Sequence, residues 1–310
     1  MAVRFLKHVA LAIPQADCDR AVAFYTAFGL QLRREGQLLF FTCPGRRYAS
    51  VILIPGADRK QLHHVAMGAS EAGLEAVRNN VDAAGLEIVG PVEGFADDGL
   101  WFRNPHGLLF HIQACDPEHE VAPEAPFLIN SPGHYSRINA GALPPKSKIP
   151  DPVPRKLGHA LLFTPNLDES IDFLRETLGM RLSDRSRDAV AFLHCLGGSD
   201  HHVLALANSS GVGLHHASFM LGTPDEVGLG GRRMVEKGYE QGWGFGRHAI
   251  GSNFFHYVRD PWGGYVEYYA DIDYIGDSDS WQAQDWPLED SLHTWGPNPP
   301  EDFVHNYEIG

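Results

Sequence analysis

Cysteine is scarce. The chain has four in 310 residues, Cys18, Cys43, Cys115 and Cys195, and no two stand at a paired spacing. That argues against a disulfide framework or a zinc knuckle and suits a reducing cytoplasm. Positive charge is short as well: 25 Lys plus Arg face 39 Asp plus Glu, a net charge of −14. Phosphate neutralisation needs clustered Lys and Arg, so nucleic acid is not an expected partner. No stretch approaches the ~18 apolar residues of a membrane span. The run Val9 to Ile13, behind Arg4 and Lys7, is too short for an export signal and no small-residue cleavage site follows it, so it reads as a strand. With these classes set aside, 44% hydrophobic and 21% charged residues describe an ordinary globular chain, long enough for two domains at ~100–200 residues each. Histidine is the exception, with 17 copies, many in strand-like runs.

Proline marks the organisation. Nine of the 21 prolines lie between Pro117 and Pro154 in a stretch without hydrophobic periodicity. Residues 116–156 therefore read as a linker between 1–115 and 157–270, with 271–310 as a tail. Four segments open with His in a short apolar strand: Lys7-His8-Val9-Ala10, His63-His64-Val65-Ala66, Gly158-His159-Ala160-Leu161 and His215-His216-Ala217-Ser218. A helical stretch follows. In the third copy Leu167 to Ser170 start a helix through Ile171, Phe173, Leu174 and Leu178. Gly179 stops it, as Gly29 does after Phe28 in the first. Alternating strands come next, such as Leu38 to Thr42 and Val203 to Ala207. Copies two and four share an ending, Arg103-Asn104-Pro105-His106-Gly107 and Arg259-Asp260-Pro261-Trp262-Gly263, a turn into a last strand. The fold class expected is α+β: four βαβββ modules of roughly fifty residues, paired into two domains rather than strung as a solenoid.

Neighbouring strand residues face opposite ways, so only one ring of His215-His216 can enter a given cavity. Aligning copies three and four pairs His216 with His159. In the last strand Glu267 sits among apolar neighbours, where an ionised carboxylate is costly unless paired or metal-bound. Two imidazoles and a carboxylate make the ligand set of non-haem iron(II) oxygenases, which leaves positions open for substrate and oxygen. A lone strand histidine is usually a packing residue. On the residues alone, packing and a metal centre both remain open.

Gly246-Arg247-His248, then Tyr257, Asp260-Pro261-Trp262-Gly263 and Glu267, resembles the signature of type I extradiol ring-cleaving dioxygenases, in the vicinal oxygen chelate superfamily. The resemblance extends over essentially the whole chain; His256 stands where the family has an aliphatic or aromatic residue. The long ending through Trp295-Gly296-Pro297 and Glu301-Asp302-Phe303-Val304 is similar to a subgroup that cleaves hydroquinone-type rings such as 2,4,5-trihydroxytoluene. The resemblance implies metal ligands His159, His216 and Glu267, and an iron(II) ion with manganese(II) as the alternative. It also implies O2 as co-substrate and a first domain without a functional metal. It places the oxygen-side histidine at His202, in His202-Val203-Leu204-Ala205-Leu206, with His201 one residue out of phase and facing away. Its two other catalytic positions fall on His248 and Tyr257, both also substrate-binding. Trp243 stands where relatives that bind an acidic tail use arginine, implying a substrate without a carboxylate.

Phe192 reads either as ring-pocket lining or as core. His194 and Cys195 read as core. The glycines at 242, 244, 246 and 251 read as a flexible loop that brings His248 to the site. The Trp-rich tail reads as surface packing, with a lid or an interface as alternatives. The expected function is extradiol cleavage of a small aromatic diol or triol by a cytoplasmic, membrane-free homo-oligomer. The alternatives on the same fold are a glyoxalase-like isomerase or lyase, which draws four ligands from two modules, and a small-molecule sequestering protein. His8, His64 and His111 stand at the equivalent positions of the first domain and read as relics of duplication.

Overall fold

The computed structural model describes residues 2–95, 98–119 and 127–309. Pro123 and Pro126 of the expected linker lie outside these residues. The first half forms β1 (Val3–Ile13), α1 (Cys18–Phe28), β2 (Gln31–Glu35), β3 (Leu38–Thr42), β4 (Val51–Pro55), β5 (Gln61–Ala69), α2 (Glu71–Ala83), β6 (Leu100–Arg103) and β7 (Leu109–Ala114). The second forms β8 (Lys156–Thr164), α3 (Leu167–Glu176), β9 (Arg181–Ser186), β10 (Val190–His194), β11 (Ser199–Asp200), β12 (Leu204–Asn208), β13 (Gly213–Met220), α4 (Pro224–Glu236), β14 (Gly242–His248), β15 (Phe254–Arg259) and β16 (Tyr265–Ala270). The tail adds β17 (Tyr274–Ile275), β18 (Gln284–Asp285), α5 (Leu288–Ser291) and β19 (His293–Trp295).

The two larger sheets repeat one order, and β11 and β17 pair apart from them. The first runs β2-β3-β4-β1-β5-β7-β6, and the second β9-β10-β12-β8-β13-β16-β15-β14, with β18 and β19 added at its edges. In each, an antiparallel central pair (β1/β5, β8/β13) is flanked by parallel strands (β4 and β7, β12 and β16). This is the α+β architecture of paired modules. The second module is reduced: where the fourth has β14, it has a single bridge from Ile88 to Phe102.

Local chemistry explains the repeats. Gly29 and Gly179 both take positive φ at helix ends, where a Cβ is disfavoured. Asn166, one residue before the expected helix start, caps α3 by accepting from Glu169 N. The shared turns are closed alike: Asn104 Oδ1 accepts from His106 N at 3.0 Å, and Asp260 Oδ1 from Trp262 N at 2.8 Å. The halves meet crosswise. Phe28 of α1 stacks on Tyr268 of β16 at 3.9 Å, and Phe173 of α3 packs on Phe110 of β7 at 5.3 Å. Residues 127–155 carry a short helical turn, Lys146–Lys148, and an isolated bridge from Ser131 to His134. Among the described residues no helix is long and apolar enough to cross a membrane.

Of the glycine-rich stretch only Gly251 lies in a loop. Gly242–His248 is strand β14, paired with β15 on one side and β19 on the other. Its glycines serve close approach: a Cβ on Gly246 would meet Phe255 Cζ at 2.5 Å and Trp295 O at 2.9 Å. Strand pairing, not loop flexibility, fixes His248.

Candidate metal centre

The register of three adjacent strands builds the centre. Ser218 on β13 pairs with His159 on β8 and with Glu267 on β16. Cross-strand partners share a face, and His216, two residues before Ser218, shares it too. One small residue is thus ringed by two imidazoles and a carboxylate. His159 Nε2 lies 3.1 Å and His216 Nε2 3.4 Å from Glu267 Oε2, and all three ligand atoms fall within 4.8 Å of one another. Among the described residues no other group of three converges in this way.

The donor set fits a divalent ion. Glu267 is 0% exposed, and its polar neighbours include the imidazoles of His159, His216 and His248, the Asn253 amide and the Tyr257 hydroxyl, with no lysine or arginine ion pair among the described residues. Spacings of 3.1 and 3.4 Å suit neighbouring ligands each about 2.1 Å from one ion. Burial alone pushes the Glu267 carboxyl up, but the imidazoles of His159, His248 and His216 outweigh it and hold the group well below the usual carboxylate range. Burial pushes His216 well below the usual imidazole range, so it stays neutral, the form that ligates.

His216 is oriented from behind. His215 Nε2 donates to Phe303 O at 2.7 Å, and the two Nδ1 atoms of His215 and His216 meet at 2.7 Å. A carbonyl only accepts, so neutral His215 has its proton on Nε2 and accepts at Nδ1 from His216. His216 Nε2 is left free for a metal. Burial holds His215 down to about 4, which keeps it neutral.

The other expected residues surround this core. The His202 ring lies 4.2 Å from that of His159, with Phe192 at 4.9 Å on its other contact. His201 turns off the face to Asp184, Nε2 to Oδ2 2.9 Å, yet its Nδ1 stands 3.1 Å from His202 Nδ1. On β15, Tyr257 pairs with Glu267 and so shares its face; its ring packs 5.1 Å from His216. His248 Nδ1 donates to Leu292 O at 2.7 Å, so its Nε2 is free to accept the Tyr257 hydroxyl proton at 2.9 Å. Burial raises the Tyr257 hydroxyl well above its usual value, keeping it protonated. Trp243 pairs with Tyr257 in turn and stacks against it at 5.5 Å, with Nε1 donating to Pro297 O. It forms a buried wall behind Tyr257. His194 is buried and hydrogen-bonded to Ser183 and Ser278, and Cys195 is a buried free thiol.

Some participants are missed in sequence. Asn253 Nδ2 donates to Glu267 Oε1 at 3.4 Å, and the tail supplies the carbonyls of Leu292 and Phe303. Backbone carbonyls leave no residue-type signal. The doubled histidines do leave one, in His201-His202 and His215-His216.

Comparison with known proteins agrees with this geometry. The model of the glyoxalase/bleomycin resistance protein/dioxygenase superfamily matches residues 6–112 and 156–268. Metapyrocatechase 2 of Cupriavidus necator is 41% identical over 309 residues, 99% of this chain and 93% of that protein. A manganese-dependent 2,3-dihydroxybiphenyl 1,2-dioxygenase of Geobacillus genomosp. 3 is 27% identical, covering 94% and 93%. Among solved structures, the Mn(II)-bound glyoxalase from Novosphingobium aromaticivorans superposes with a TM-score of 0.76 at 24% identity, over 97% of this chain and 93% of that one.

Proposed function

We propose, from the premise that the chain belongs to the glyoxalase/bleomycin resistance protein/dioxygenase superfamily, a substrate and a division of labour among its residues. The protein is an extradiol ring-cleaving catechol dioxygenase, dependent on iron(II) or manganese(II) and on O2. The proposed substrate is a catechol or trihydroxybenzene without a carboxylate, such as a substituted catechol or 2,4,5-trihydroxytoluene. The observation that carries the reading is the buried convergence of His159, His216 and Glu267.

In the proposed site these three residues hold the metal. The bound ion supplies Lewis acidity toward the two diol oxygens and the redox capacity that lets O2 react with an aromatic ring. The protein's own groups handle protons and orientation. Tyr257, on the His216 flank, hydrogen-bonds a substrate oxygen, and His248, locked by Leu292 O, takes up a proton through that hydroxyl. His202, on the His159 flank, serves the oxygen side. Phe192 beside it and Trp243 behind Tyr257 give apolar walls without a cation for a carboxylate.

A four-ligand glyoxalase-type site is disfavoured by the register. Leu161, two residues after His159, pairs with Ala205 on β12 just as Ser218 pairs with Glu267. Ala205 stands where the fourth ligand would, and it has no donor atom. The test is anaerobic purification, metal analysis and oxygen uptake on a panel of catechols and trihydroxybenzenes. One O2 consumed per ring, with a yellow ring-opened product, is expected. Failure to consume O2 with every diol, despite bound metal, would sink this reading.

A further inference from the structure

We propose that Asp184 and His201 are positioning residues that fix the tautomer of His202, so that its Nε2 carries no proton and is turned away from His201 toward the metal face. The side chains form one buried line. Asp184 Oδ1 accepts from Gln284 N at 2.7 Å, and Oδ2 accepts from His201 Nε2 at 2.9 Å. His201 Nδ1 then meets His202 Nδ1 at 3.1 Å, and the His202 ring lies against that of His159. Asp184, His201 and His202 are all buried, and Trp281 closes over His201 at 5.3 Å.

The hydrogen-bond inventory dictates the outcome. An ionised carboxylate only accepts, so the His201 proton sits on Nε2. A ring with that single proton offers a lone pair at Nδ1, and His202 then donates from its own Nδ1. That leaves His202 Nε2 unprotonated, the state a proton acceptor at the oxygen face requires. The same logic operates a few ångströms away, where Phe303 O and His215 leave His216 Nε2 free. The first domain makes the same Nδ1–Nδ1 contact between His63 and His64 at 2.8 Å, and the second domain uses a doubled histidine twice: once behind a metal ligand, once behind the histidine on the opposite flank. Each first ring is anchored by a second element, the tail in one case and β9 in the other.

Asp184→Asn isolates the tautomer from the shape. Gln284 N needs an acceptor, so the new side chain keeps its oxygen there and turns its amide nitrogen to His201 Nε2. His201 must then accept at Nε2 and donate from Nδ1, which moves the His202 proton to Nε2. Imidazole 15N spectra of the full chain, loaded with zinc in place of a paramagnetic ion, read this directly, with His202→Phe providing the assignment. The expected result is an unprotonated His202 Nε2 in the wild type and a protonated one in Asp184→Asn. In the iron enzyme kcat should fall by about 10²-fold with metal content and diol KM unchanged, and Asp184→Glu should recover most of it. A protonated Nε2 in the wild type would overturn the proposal, even if Asp184→Asn fails to fold. So would an unprotonated Nε2 in Asp184→Asn, or a reversed tautomer with unchanged kcat. The kinetic arm rests on the ring-cleaving reading; a wild type inert toward all diols would count against that reading, and the spectra would still decide the tautomer.

Discussion

Glu267 is fully buried, and the polar side chains around it include three imidazoles, one amide and the Tyr257 hydroxyl, none of them a permanent cation. An anion held this way is destabilising on its own and favourable around a cation. Glu267→Gln keeps the volume and removes the charge, so metal affinity should drop by at least about 10²-fold while the far-UV circular dichroism is unchanged. Stoichiometric iron and normal turnover in that variant would show that Glu267 is not a ligand. His202→Phe keeps an aromatic ring against His159 and removes both nitrogens. Metal content and diol binding should stay as in the wild type and kcat should fall by about 10²–10⁴-fold, which stopped-flow mixing of the anaerobic diol complex with O2 would assign to steps after oxygen arrives. A loss confined to diol affinity would contradict this. The convergence of His159, His216 and Glu267 was legible because β-strand register carries it: His159 and Glu267 meet across Ser218, and the internal repeat pairs His159 with His216. His201 was legible only as out of phase. Its contact with His202 depends on ring rotation about χ angles, which residue spacing does not encode.

Strands and helices were legible where apolar periodicity and glycine stops agreed, as in α3 and the turns at Asn104 and Asp260. The stretch 242–248 was misread because glycine signals turns and tight packing alike. Its partners decide the matter: β15 across a short connection and β19 far along in the tail. Gly246→Ala should therefore displace β14 against Phe255 and the Trp295 carbonyl, shift His248 and lower kcat. Gly228 in α4 is the control: no atom lies within 4 Å of a Cβ there. Gly228→Ala should raise stability by about 0.5–1 kcal/mol, the propensity gain at a helix-interior position with room for a methyl. Thermal melts and kcat on both variants check the pair, and equal effects would show that β14 is not packed as described. The tail is also an element of the site rather than surface packing alone. Its β18 and β19 extend the sheet, its Leu292 and Phe303 carbonyls hold His248 and His215, and Glu308 reaches across to the buried Lys60 of the first domain.

Across the whole molecule, histidines buried in their neutral form make stability depend on pH. Burial lowers His8 and His64 well below the usual range and brings His215 and His256 to about 4. Unfolded, each titrates near ~6.5, so below that pH the unfolded chain binds more protons than the folded one. Their contribution is fully present above ~6.5 and is lost as pH falls toward about 4, at up to about 1.4 kcal/mol per pH unit for each group. Urea midpoints of chelator-treated protein should be flat above pH ~7 and fall steadily below ~6.5; a stability maximum at acid pH would refute the burial of these rings. The same duplication that supplies these histidines raises the question of a second metal. Ala66 on β5 pairs with His8 and with His111, as Ser218 pairs with His159 and Glu267, and His64 stands two residues before Ala66. The backbone register of a ligand triad is therefore intact in the first domain. Its side chains do not converge: His8 Nε2 and His64 Nε2 face each other at 3.0 Å, while His111 Nε2 donates to Asp98 O at 2.6 Å under the Trp101 ring, 3.8 Å away. His111 also replaces the carboxylate, so an ion there would keep its full charge in a buried pocket. One metal per chain is expected, all of it lost in His216→Ala and none in His64→Ala. Two tightly bound equivalents in the wild type, falling to one in His64→Ala, would make the first domain a metal site in its own right.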